Sequence, residues 1–367
     1  MIPLSRVTVT SEMTSAMLDV VASGRFILGP ETKAFENEFA SYVGTKHAVA
    51  VSQGTAAIQL SLIALGVRPG DEVLVPSMTA FPTIEGILHA GGKAVMADVD
   101  RYGAIDPADA ASRITEKTVG IVPVHLYGGA ADLTSLRALA ERHHLWIVED
   151  ACQAHGARFR GKTVGSVGRA GCFSFYPSKN LTVFGDGGMV TTDDDDLART
   201  VRLLRDHGRS DKYTHVAVGF NLRFNEIQAA VGRKQLALLE DFVEKRRAVA
   251  RHYDTALTGI EGLTTPLERP GTRMVYHLYP IRLKDEATRD ALRDHLTRSG
   301  VETGVHYPIP NHLQPAMEPY GPAPSLPQSE ALARTTLSLP IFPSLTDDEV
   351  EAVIAGVQLF FEKTAGI

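Results

Sequence analysis

From about residue 46 the chain alternates short apolar runs with longer segments whose apolar positions recur every three or four residues. The runs "HAVAVS", "EVLVP", "KAVMADV", "TVGIVPVH" and "LWIVED" are rich in Val and Ile and lack a steady apolar–polar alternation, as expected of strands buried on both faces. Between them, "TAAIQLSLIAL" and "DLTSLRALAERHH" carry helical spacing. This is a βαβ pattern, and it predicts an α/β fold: a three-layer large domain with a mostly parallel sheet and helices on both sides. Ligands in such sheets bind at the carboxyl ends of the strands. After about residue 240 the texture changes. A charged helical segment, "LLEDFVEKRRAVARHYDTAL", leads to the strand-like "RMVYHLYPIRL" and then to the helical "DEATRDALRDHLTRSG". The expectation is a large domain over 1–240, including an N-terminal arm, and a smaller α/β domain over 241–367. Within the latter, "HYPIPNHLQPAMEPYGPAPSLP" is a fixed loop and "TDDEVEAVIAGVQLFFEK" a closing amphipathic helix. The four aspartates at 193–196 are expected to open a helix, where negative charge suits the dipole.

Composition narrows the picture. The 367 residues are enough for about two domains, and 44% apolar content supports a real core. A net charge of −6 gives no general attraction to nucleic acid or anionic lipid. No basic-then-apolar leader opens the chain, and no apolar run approaches the roughly 20 residues that span a bilayer. A cytoplasmic protein with no nucleic-acid or membrane partner is therefore expected. Cys152 and Cys172 lie among small or apolar residues without CxxC spacing and read as reduced core thiols. The thirteen histidines show no metal-binding spacing, so no metal site is expected.

Two lysines compete for attention. Residues 156–163, "GARFRGKT", match the phosphate-loop pattern GxxxxGK[ST], which would make Lys162 and Thr163 the phosphate and magnesium contacts of an NTPase. Such a loop must follow a strand and open a helix. Here Gly165, Gly168 and Gly171 follow, and Arg158, Phe159 and Arg160 crowd the loop, so the segment reads as a β-hairpin turning near Gly161 with Lys162 exposed. Lys179, in "FSFYPSKNLTVFGDGGMV", sits between two strand-like runs, "AGCFSFYPS" and "DGGMVTT". Asp150 ends the buried run "LWIVED", where a carboxylate needs a cationic partner. Gly54, Thr55 and Ala56 start a helix directly after a strand, an arrangement that offers free N–H groups to an anion. A lysine amine, a strand-end carboxylate and a phosphate-binding helix start are together what pyridoxal phosphate requires.

The same stretches carry a resemblance. "SGRFILGPETKAFENEFASYVG", "VSQGTAAIQLSLIALGVRPGDEVLVPSMT", "IVEDACQAHGA", "FSFYPSKNLTVFGDGGMV", "GFNLRFNEIQAAVGRKQ" and "VHYPIPNHLQPA" resemble, in order and almost end to end, the DegT/DnrJ/EryC1/StrS family of sugar aminotransferases. The resemblance implies the aspartate aminotransferase fold (fold type I of the pyridoxal-phosphate enzymes) and a homodimer with active sites at the subunit interface. It makes Lys179 the Schiff-base lysine and places Asp150 on the pyridine nitrogen and Gln153 on the ring hydroxyl. Gly54, Thr55, Ala56 and Ser174 hold the phosphate, with Asn221 reaching across from the neighbouring subunit, and Arg223 is a weaker candidate for an anionic group. Two departures stand out: Ala80 then Phe81 follow Thr79, where many members place a ring-stacking aromatic at once, and "GDGG" with Asp186 replaces the commoner "GEGG".

Lysine rather than the histidine of the family's dehydratases favours amino transfer, with Lys179 also moving the proton. Glutamate is the expected donor in a ping-pong cycle. The loop "HYPIPNHLQP" looks like that of enzymes aminating nucleotide-linked 3-keto sugars, with His306, Tyr307 and His312 as candidate substrate contacts. A nucleotide-linked 4-keto sugar is the next reading and a cyclitol ketone the third. A DNA-binding regulator of this fold would carry a helix-turn-helix and a basic face, and the chain has neither surplus length nor surplus positive charge.

Overall fold

The computed structural model describes residues 1–365. Its strands are β1 (His47–Val51), β2 (Glu72–Pro76), β3 (Lys93–Ala97), β4 (Thr118–Ile121), β5 (Trp146–Asp150), β6 (Arg158–Phe159), β7 (Lys162–Thr163), β8 (Ala170–Ser174), β9 (Gly188–Thr192), β10 (Leu263–Thr264), β11 (Thr272–Arg273), β12 (Tyr279–Leu283) and β13 (Thr336–Leu339). Its α-helices are α1 (Ser11–Ser23), α2 (Pro30–Val43), α3 (Gly54–Ala64), α4 (Phe81–His89), α5 (Pro107–Ser112), α6 (Leu133–His143), α7 (Asp195–Leu204), α8 (Glu226–Leu257), α9 (Glu286–Arg298), α10 (Pro327–Thr335) and α11 (Asp347–Ala365).

A seven-stranded sheet in the order β1-β9-β8-β5-β4-β2-β3 forms the middle layer. All its pairs are parallel except the two made by β9. Alternation along each strand divides the core. Val49, Val51, Val73, Val75, Cys172 and Val190 face α3, α4 and α7, whereas Ala48, Ala50, Leu74, Phe173 and Met189 face the opposite layer of α2, α6 and the first half of α8. Because β1, β8, β5 and β2 all run the same way, Gln53, Ser174, Asp150 and Thr79 collect at one edge of the sheet.

Residue 240 lies within α8, which crosses the molecule without a break. The later half of that helix joins the second core, with β12, β13, α9 and α11, around a three-stranded antiparallel sheet β10-β12-β13. Local signals account for the ends of the helices. Asn225 caps α8 through the Gln228 amide, Asp285 caps α9, and Asp194 caps α7 by accepting from Asp196 and Leu197. Among the described residues no helix is long and apolar enough to cross a membrane, and no cluster of side chains could hold a metal ion.

Candidate active site

At the shared strand edge lies a cleft of about 350 Å³. Its first wall is the start of α3. The preceding Gln53 makes no side-chain cap, so the amides of the first turn remain open to an anion. Gly54 has no room for a side chain: a Cβ there would stand 2.7 Å from Ser174 Cβ and 3.1 Å from Cys152 Sγ. Ser174 thereby packs directly against the helix start, and Thr55 lines the cleft beside it. Ala56 supplies a first-turn backbone position while its methyl group is buried in the core.

The second wall is the end of β5. Asp150, 4% exposed, accepts the Thr83 hydroxyl on Oδ2 at 2.7 Å and the Cys152 amide on Oδ1 at 3.0 Å. Gln153 is oriented by its neighbours. Its Oε1 accepts from the Tyr127 amide at 2.8 Å, so the nitrogen must be the end that donates, and it donates to the Tyr307 hydroxyl at 3.0 Å. Burial pushes the Tyr307 phenol up to about 12, which keeps it a neutral hydroxyl.

Lys179 reaches the same cleft from the connection between β8 and β9. Burial pulls its amine below the ordinary lysine range, while Cys152 and Asp150 pull the other way. Three histidines share its field. His155 is brought down to about 3 and His306 to about 4, in both cases chiefly by burial and then by the charge of Lys179; His277 is lowered well below the ordinary histidine value for the same reasons.

Cys172 is a core thiol, as the sequence suggests, but Cys152 is not: it lines the cleft, held as a neutral thiol by burial and by Asp150. His306 lies close by, its Nδ1 3.0 Å from Ser338 Oγ and its carbonyl accepting the Tyr127 hydroxyl. His312 corrects an expectation. Its side chain has no exposure, with Nδ1 2.6 Å from Ser77 Oγ and Nε2 3.5 Å from Glu330, so it anchors the loop to the end of β2 rather than facing a substrate. Arg223 is engaged with Asp206 at 3.3 Å, and Asn221 is exposed; neither lines the cleft of its own chain. Ala80, not Phe81, borders the cleft, and Phe81 packs into the α3–α4 core. Asp186 also borders it.

The hairpin expected over "GARFRGKT", in place of a phosphate loop, is what forms. β6 and β7 pair as an antiparallel hairpin, Lys162 is exposed and no helix follows Thr163 before α7. The amides of Gly165, Val167 and Gly168, which follow the motif, point instead at the Glu149 carboxylate.

Comparison with known proteins decides the kind of site this is. The model of the DegT/DnrJ/EryC1/StrS aminotransferase family matches residues 8–358. The chain belongs to that family. A DegT/DnrJ/EryC1/StrS relative from Streptomyces venezuelae, a dTDP-3-amino-3,4,6-trideoxy-alpha-D-glucose transaminase, is 45% identical over 357 residues, covering 96% of this chain and 93% of the relative. A UDP-N-acetyl-3-dehydro-alpha-D-glucosamine 3-aminotransferase from Acidithiobacillus ferrooxidans is 40% identical, with 93% and 92% covered. Among solved structures, that of S. venezuelae DesV in complex with a ketimine intermediate superposes with a TM-score of 0.93 at 45% identity, covering 96% of this chain and 95% of that one. The chain is accordingly a pyridoxal-phosphate-dependent sugar aminotransferase with the fold of that enzyme class. The cleft fits the cofactor. It offers an uncapped helix start where glycine leaves backbone room, a fixed strand-end carboxylate, an amide whose nitrogen is obliged to donate, and a buried amine.

Proposed function

We propose that the chain transfers the amino group of glutamate to a nucleotide-linked 3-keto sugar in a ping-pong cycle. The observation that carries the site assignment is the convergence of Lys179, Asp150 and the start of α3 on one cleft, three elements far apart in sequence. Pyridoxal phosphate, when bound, supplies an electron sink that stabilises negative charge on the carbon losing its proton. The chain does the rest. The amides of Gly54, Thr55 and Ala56 and the Ser174 hydroxyl would hold the phosphate. Asp150 would keep the ring nitrogen protonated, and Gln153 would donate to the ring hydroxyl. Lys179 would anchor the cofactor and move the proton; burial lowers the basicity of its amine, which favours the neutral form that can accept a proton.

In this reading the cofactor side comes from residues 1–240, while 241–367 bring Tyr307 and His306 to the rim. Asn221 and Arg223, outside the cleft of their own chain, serve the site of a second subunit in a homodimer, where exposed Phe26, Ile27 and Val218 would be covered. Position C3 is supported by the names of both curated relatives above and by the loop "HYPIPNHLQP". The test is a panel of 3-keto and 4-keto nucleotide sugars and a cyclitol ketone, each offered with glutamate while 2-oxoglutarate is measured. Turnover with the 3-keto sugars is expected, and turnover confined to a 4-keto sugar or the cyclitol would reassign the substrate while leaving the amino transfer intact.

A further inference from the structure

Two buried threonines line the cleft beside Asp150 and have no part in the scheme above. Thr83, 1% exposed, lies in the first turn of α4 and donates to Asp150 Oδ2 at 2.7 Å. Thr79, 3% exposed, follows the end of β2, and its Oγ1 lies 3.1 Å from Thr83 Oγ1. The direction of this pair follows from the protons available. A carboxylate only accepts, and a hydroxyl has one proton to give. Thr83 therefore donates to Asp150 and has only lone pairs to offer Thr79, so the Thr79 proton points at Thr83. The result is a one-way chain, Thr79 to Thr83 to Asp150, in which each bond polarises the next.

Thr83 has no local task that would explain its hydroxyl. It sits where threonine often serves a helix N-terminus, yet α4 has no side-chain cap, and the backbone amide of Thr83 is satisfied by Ala80. Its oxygen is turned instead towards the site. With the Cys152 amide on the other carboxylate oxygen, both oxygens of Asp150 are tied, and the remaining lone pairs are left for one partner in the cleft.

We propose that Thr83, backed by Thr79, is a positioning residue that fixes the Asp150 carboxylate towards the cofactor ring nitrogen and so helps keep the shared proton on that nitrogen. This rests on the reading that Asp150 faces that nitrogen. A hydrogen bond donated to the charged form of an acid favours that form, and losing it makes the carboxylate a stronger competitor for the proton. Valine has the shape of threonine without the hydroxyl, so Thr83→Val isolates this contribution.

The test is the nitrogen-15 resonance of the ring nitrogen in holoenzyme reconstituted with ring-labelled pyridoxal phosphate. Four variants are compared with the wild type: Thr83→Val, Thr83→Ser, Thr79→Val and Asp150→Asn. Wild type and Thr83→Ser are expected at the protonated position and Asp150→Asn at the neutral one. Thr83→Val should move towards neutral, and Thr79→Val in the same sense by less. If Asp150→Asn moves while Thr83→Val coincides with wild type, the threonine proposal is overturned and the Asp150 assignment stands. If Asp150→Asn also coincides with wild type, the Asp150 assignment itself fails. Should Thr83→Val not fold, Thr79→Val carries the test, and an unshifted resonance there overturns the proposal.

Discussion

The carboxylates of Glu149 and Asp150, adjacent at the end of β5, leave the sheet on opposite faces and meet opposite surroundings. Glu149, fully buried, accepts the amides of Gly165, Val167 and Gly168 and the Nε2–H of His125, whose Nδ1 is occupied by the Ala131 amide. Asp150 takes one hydroxyl and one amide and keeps a free side towards the cleft. The first carboxylate is a structural hub for the segment after the hairpin; the second is held ready for an external partner.

Separate outcomes follow for the two neighbours. Glu149→Ala leaves three buried or half-buried amides and a buried imidazole without their acceptor and should cost about 3–5 kcal/mol. Asp150→Asn keeps the shape of its site and should unfold close to wild type while losing transamination. Denaturant unfolding together with a glutamate half-reaction assay separates them, and equal stability losses in both variants would contradict the division.

Gly54→Ala tests the helix-start cradle. The added methyl would lie 2.7 Å from Ser174 Cβ, so one of the two must shift. The expected result is at least about a tenfold weaker pyridoxal phosphate affinity, equivalent to ~1.4 kcal/mol, read by cofactor titration. Unchanged affinity would place the phosphate elsewhere.

Lys162→Ala should change neither turnover nor, beyond about 0.5 kcal/mol, stability, because the side chain projects from an exposed hairpin. Loss of activity in this variant would revive a phosphate-binding role for "GARFRGKT".

The buried histidines set an acid limit. His155 packs its ring against Phe173 and Phe175, and burial, followed by the charge of Lys179, holds its value at about 3, with His306 at about 4. In the unfolded chain both take up a proton near 6.5. Between about 6.5 and these lower values the unfolded state binds more protons than the native one. Stability therefore rises with pH across that window, and it is lost as the pH falls through it, by up to ~1.4 kcal/mol per pH unit per histidine. Unfolding midpoints measured at neutral and acid pH should differ less in His155→Phe than in wild type; an identical pH dependence would exclude His155 as a source.

Much of this architecture can be read in the sequence for a specific reason. Strands such as β1, β2 and β5 are buried on both faces, so their apolar runs are nearly unbroken, and Asp150 stands out at the end of one run and Gly54 shortly after another. The missed features lack a local signature. The charged helix read from "LLEDFVEKRRAVARHYDTAL" begins earlier, at Glu226, and Gly232 within it lets α8 approach Phe35, whose ring would lie 2.7 Å from a Cβ there. β13 is a four-residue strand directly after α10, recognisable only through its pairing with β12. Thr83 is an ordinary first-turn threonine until tertiary structure brings Asp150 to it, and Tyr127 matters through an amide, which no side-chain pattern reveals. His312 misled because its loop is rich in proline and polar residues, while its own side chain is fully covered.

Lys179 is the residue proposed to hold the cofactor. Borohydride reduction of the purified holoenzyme, followed by peptide mass mapping, tests it most directly. Loss of the visible absorption band and one reduced pyridoxyl group per chain, on the peptide containing Lys179, are expected. A pyridoxyl group on another lysine, or a protein that takes up no cofactor, would contradict it.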